Sequence, residues 1–153
     1  MHKMMMFCGG SHFLRKSFYH LPPYFSNKYG YEEIVPSCRA FDAGMENAFC
    51  QDLLIIHKPK VDKWNYKDKD NAILVRSFTI MYVIKSKLYP RIFKPIIYAI
   101  YRVRMRRYAK GVNDSRRIVK EVKLLTKEQA HSLKRIKTKT VLNMYKDFGL
   151  SIF

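Results

Sequence analysis

The chain has 153 residues, 48% of them hydrophobic and 14% aromatic, which allows one modest domain with a core and argues against wholesale disorder. A formal net charge of +18 calls for an anionic neighbour: lipid headgroups, nucleic acid or a phosphorylated substrate. Three cysteines (Cys8, Cys38 and Cys50) without a CxxC pair argue against a disulfide framework or a short-spaced zinc site, and suit reduced thiols in a cytosolic protein.

The charge is concentrated. Residues 1–74 carry 10 Lys/Arg against 8 Asp/Glu, whereas residues 75–140 carry 19 against 3. The N-terminal apolar run is too short for a signal peptide. No window of about 20 residues is free of charge, so a conventional transmembrane helix is not expected.

In chain order, Phe7–Arg15 starts with a Gly-Gly bend and continues as a short strand-like run. Leu21-Pro22-Pro23 and Ser26-Asn27 mark a loop. Glu32–Ala43 reads as a helix: Ile34, Cys38 and Phe41 share a face, acids occupy the first turn, Pro36 falls early, and Gly44 supplies a stop. Ala48–His57, with its continuous Leu53-Leu54-Ile55-Ile56 centre, reads as a strand buried on both faces. Lys58–Lys69 is a polar loop anchored by Trp64 and Tyr66.

Asp70–Leu88 reads as a helix, and the apolar stretch Ala72–Ile84, interrupted by Arg76, suits a core position. Pro95 is placed to start a helix over Pro95–Lys110. Residues 111–115 form a break with good N-cap residues before a helix from about Arg116 to Leu125. Thr126 with Gln129 makes a capping-box pattern for a last helix, which Gly149 can end.

Glu32 and Glu33 have two readings. They are acids complementing a helix dipole, or one of them is a general base taking a proton from an attacking hydroxyl. The order of the surrounding elements bears on the choice. Gly9, Gly10, Leu14 and Arg15 come first, then Glu32, Glu33, Arg39 and Gly44, then a hydrophobic strand ending in His57 two residues before Pro59. This ordered set, over about residues 7–90 and including Arg76 and Tyr89-Pro90, resembles the C-terminal half of the family 2 (GT-A fold) glycosyltransferases.

The resemblance implies an α/β fold: a C-terminal fragment of a GT-A type domain with few strands over residues 1–70, then a basic, mainly helical extension over 71–153. It implies transfer of a sugar from a nucleotide-sugar to a carbohydrate or lipid-linked acceptor hydroxyl. Glu33 stands where the family has its catalytic Asp, with Glu32 as the neighbouring candidate. His57 stands where several members add a ligand to a divalent metal, Mn or Mg, although a strand-end His facing solvent fits equally. Arg39 reads as a structural partner more than a phosphate contact.

The family's donor-binding half ends in an Asp-x-Asp motif, and no such triplet precedes Glu32. Asp68-Lys69-Asp70, downstream in a polar loop, reads as surface and helix cap. The expectation is therefore a truncated transferase, inactive alone.

The basic half is read separately. Residues 85–110 hold nine Lys/Arg and no acid, interleaved with Ile and Tyr; Ile96, Ile100 and Val103 fall together on a helix from Pro95. This pattern fits either packing with a solvated basic face or a helix at an anionic membrane surface, giving a cytoplasmic protein with peripheral attachment. Nucleic-acid binding competes, through Arg104, Arg106, Arg107, Arg116, Arg117 and the run Lys134–Lys139, but no recognised motif supports it. The alternative to the transferase is thus a small basic binding protein without catalysis.

Overall fold

In the computed structural model, residues 2–5, 33–49 and 71–153 are described. Their order is β1 (His2–Lys3), α1 (Ile34–Asp42), β2 (Ala48–Phe49), α2 (Asn71–Leu88), a 3-10 turn (Arg91–Phe93), α3 (Lys94–Tyr108), α4 (Ser115–Gln129), α5 (Thr138–Phe148) and a closing 3-10 turn (Gly149–Ile152). β1 and β2 form a two-residue antiparallel pair, His2 opposite Phe49 and Lys3 opposite Ala48.

The described architecture is helical, and the α/β expectation is corrected. The only strands among the described residues are those two short ones, and the core comes mainly from helix faces, completed by Tyr89, Ile136 and the chain's last residues. The physical reason lies in residue spacing. Val75, Thr79, Ile80, Val83, Ile84 and Leu88 are buried at intervals of one, three and four, as one face of a helix requires. The run Leu53–Ile56, on which a buried strand rested, and the strand-like Phe7–Arg15 lie outside the described residues.

α2 is the central element. α3 and α4 both pack along it, and α5 closes onto α1 and the final 3-10 turn. Ile34, Val35 and Cys38 of α1 share one hydrophobic cluster with Ile80, Ile84, Leu88, Met144, Ile152 and Phe153. In α2, the buried Thr79 hydroxyl donates to the Val75 carbonyl at 2.7 Å and Ser77 to Ile73 at 2.8 Å, so these hydroxyls are satisfied within the helix.

Helix boundaries follow local chemistry. Pro36, the third residue of α1, needs no intrahelical N–H partner there. Gly44 and Gly149 have φ of +76° and +61°, conformations that permit the turns leaving α1 and α5. The Thr126–Gln129 pattern does not open a helix. Thr126 sits inside α4, where its hydroxyl donates to the Val122 carbonyl at 2.6 Å, and the last helix starts at Thr138. Ile96, Ile100 and Val103 do not form one buried stripe; α3 buries Ile97 and Tyr101 and leaves Val103 64% exposed.

Lys85 is the anomaly of the core. It is 1% exposed, and its Nζ has no hydrogen-bond partner among the described residues. Burial lowers its pKa from 10.5 to about 8, opposed by Cys38 and reinforced by Arg104. Between pH 8 and 10.5 the unfolded chain therefore binds more protons than the folded one, and stability rises with pH. Below pH 8 the full cost of a buried ammonium, on the order of 3 kcal/mol, is present. Lys85→Met is expected to raise stability by about 1–3 kcal/mol at pH 7, a gain that disappears by about pH 10.5. Denaturant unfolding of both proteins across that range checks it; a pH-independent difference would contradict the assignment.

Candidate functional site

Of the three expected site residues, only Glu33 lies among the described ones; Glu32 and His57 lie outside them. Glu33 is the residue before α1, half-buried, with helical backbone angles (φ −76°, ψ −16°). Its carbonyl accepts the Ser37 N–H at 3.0 Å, the first turn of the helix. Its side chain makes no capping hydrogen bond. The carboxylate therefore stands at the positive end of α1 without being spent on the helix's own N–H groups.

The helix behind Glu33 is held at several points. Arg39 donates through Nη2 to the Lys134 carbonyl, a structural contact. Asp42 accepts the Lys137 N–H at 2.8 Å and the Thr140 hydroxyl at 2.7 Å. Lys137 is the N-cap residue of α5 and makes no side-chain cap of its own, so Asp42 caps α5 from another helix. Buried Asn47 donates to the Met5 carbonyl at 3.1 Å and the Ser37 carbonyl at 3.3 Å, tying the strand pair to α1.

A second arrangement is electrostatic. A groove of about 370 Å³ lies between α3 and α4, walled by Arg102 and Arg106 on one side and Ser115, Arg116 and Lys123 on the other, with Tyr101 among its lining. Lys123 Nζ lies 5.5 Å from the Tyr82 ring centre and 5.3 Å from that of Tyr101. Burial lowers the Lys123 pKa, and repulsion from Lys127 and Arg102 adds to the effect. The chain matches no protein-family model, no curated protein and no solved structure.

Among the described residues no three His, Cys, Asp or Glu side chains come together to hold an ion. The Mn or Mg implied by the resemblance therefore has no ligand set there. No described helix is long and apolar enough to cross a membrane. Sequence reasoning missed the groove because its walls come from separate helices. The only sequence signal was the clustering of arginines at 102–107 and 116–117.

Two cations of the basic run Lys134–Lys139 hold backbone carbonyls. Arg135 donates to the Ser86 carbonyl at 3.2 Å and to the Tyr89 carbonyl, closing the end of α2, and Lys137 Nζ reaches the Asp42 carbonyl at 3.4 Å. The cross-helix cap is open to a direct check. Asp42→Ala is expected to lower stability by about 1–2 kcal/mol, while Asp42→Asn, which keeps an acceptor oxygen, loses less. Thermal unfolding of the two variants measures this; an unchanged midpoint in Asp42→Ala would remove the cap from the account.

Proposed function

We propose that this chain contributes the acceptor side of an enzyme that transfers a sugar from a nucleotide-sugar to a hydroxyl, with Glu33 as the general base. One observation carries the proposal: the Glu33 carboxylate stands at the start of α1 without capping it. The sequence on either side agrees. α1 carries Arg39 at the expected distance, Gly44 ends it with a positive φ, and the chain turns into β2 at Ala48. The proposal concerns this acid motif and its helix, not the sheet architecture corrected above.

In such a transfer, a Glu33 oxygen takes the proton as the acceptor oxygen bonds to the anomeric carbon. The bond from that carbon to the nucleotide diphosphate breaks, and the diphosphate leaves with the electron pair. The residues that bind the donor are not identifiable in this sequence, since no Asp-x-Asp precedes Glu32. The test expresses the chain from its own locus, upstream DNA included, and measures transfer from a labelled nucleotide-sugar. Glu33→Gln should lower transfer by about 10²–10⁴-fold with unchanged thermal unfolding. Full activity in that variant would sink the assignment.

A second reading rests on α3 and the turn before it. Ile92 is 74% exposed and Val103 64%, interspersed with exposed Arg91, Lys94, Arg102, Arg106 and Arg107. Apolar side chains beside cations suit a helix lying at an anionic membrane surface, and would place a cytoplasmic protein peripherally on the membrane. At about 1 kcal/mol per basic residue near such a surface, these five suffice for reversible attachment. Changing Ile92 and Val103 together to Ser is expected to lower partitioning onto phosphatidylglycerol vesicles about tenfold or more. Undiminished sedimentation with vesicles would rule out insertion by this face.

A further inference from the structure

We propose that the groove between α3 and α4 is a binding site for a phosphate group, held by Arg102, Arg106 and Arg116 with the start of α4. This proposal stands apart from the role of Glu33 and does not require membrane attachment.

Three features converge on an anion. The groove brings three guanidinium groups and the Lys123 ammonium to one concavity, and no acidic side chain among the described residues lines it. The nearby Asp114 carboxylate is paired with Arg117 at 3.1 Å. Guanidinium groups offer paired N–H donors that match phosphate oxygens.

The second feature is the end of α4. Ser115 and Arg116, its first two residues, lie in the groove wall, and no side chain caps this helix. Asp114, the N-cap residue, adopts a left-handed conformation (φ 58°) and makes no side-chain cap bond. A 15-residue helix thus begins in the groove wall, which puts the positive end of its dipole beside the arginines, although its first N–H already donates to the Val112 carbonyl at 3.3 Å.

The third feature is Lys123. Its Nζ lies against two tyrosine rings, as Arg102 lies over Tyr98, and its charge is disfavoured by burial and by like-charged neighbours. A bound anion would relieve that repulsion directly. The groove volume of about 370 Å³ accommodates a phosphate or diphosphate group and part of whatever bears it. Lipid headgroups and soluble phosphate compounds share this chemistry.

The test titrates the intact chain with inorganic pyrophosphate at low salt, followed by calorimetry. A single saturable site is expected. The combined change Arg102→Gln, Arg106→Gln and Arg116→Gln should weaken it at least about tenfold. A control with the same charge loss elsewhere, Lys87→Gln, Lys139→Gln and Lys146→Gln, should stay within about twofold. All six side chains are exposed, and Arg116→Gln alone serves as a minimal variant. Equal weakening in both triple variants, or no saturable binding, would overturn the proposal in favour of diffuse charge. Displacement of pyrophosphate by phosphatidylglycerol vesicles supports a headgroup ligand; pyrophosphate binding without vesicle binding supports a soluble one.

Discussion

The fold depends on where Tyr89 puts its phenol. The ring is fully buried at the end of α2, and the hydroxyl donates to the Ile152 carbonyl at 2.9 Å while lying 3.9 Å from Cys38 Sγ. One side chain therefore joins α1, α2 and the closing 3-10 turn. Burial pushes its pKa well up, so it remains a neutral donor under ordinary conditions. The backbone adds further ties here: the Tyr89 N–H donates to the Lys85 carbonyl, and the Tyr89 carbonyl accepts from Arg135. Beside it, Ile136 donates to the Leu88 carbonyl at 2.8 Å. A buried phenol without these partners would cost on the order of 1–3 kcal/mol. With them, it fixes how α1, and hence Glu33, sits against the rest.

The second constraint is how a chain of +18 accommodates its cations. Ion pairs among the described residues include Lys3 with Glu46 and Asp147, both at 2.9 Å, and Arg117 with Asp114. Exposed pairs of this kind contribute little. Several cations are instead placed against carbonyl groups, as with Arg39, Arg135 and Lys137. Others lie over rings: Arg104 is 5.4 Å from Phe78, Arg107 5.4 Å from Tyr108, and Lys123 faces two tyrosines. The high aromatic content thus offsets the shortage of acids. Lys85, buried without either arrangement among the described residues, marks where the strategy fails.

Residue order alone disclosed those features governed by neighbours along the chain. The existence of α1, the core role of α2 despite Arg76, the Pro95 start of α3 and the glycine after α5 were all legible, because spacing, proline and glycine act locally. The Thr126–Gln129 pattern misled because the same residues fit a helix interior when the Thr hydroxyl bonds back to Val122. The Asp42 cap of α5 was invisible, since its partners lie 95 and 98 residues away in sequence. The α/β expectation came from the family resemblance and from the strand-like runs at residues 7–15 and 48–57, whereas the described core is built mainly from helix faces elsewhere. For the site, Glu33 was legible as the start of a helix; the groove, assembled from two helices meeting on a third, was not.

Cys38 gives the molecule a built-in clock. Its thiol is 2% exposed, packed between α1 and Tyr89, and burial, the largest influence, raises its pKa to about 11. An alkylating reagent needs the thiolate and a path to it, and the closed fold supplies neither. Modification at this position must wait for α1 to separate from the end of α2. Its rate, resolved from Cys8 and Cys50 by peptide mapping, therefore reports how often the Tyr89 junction opens.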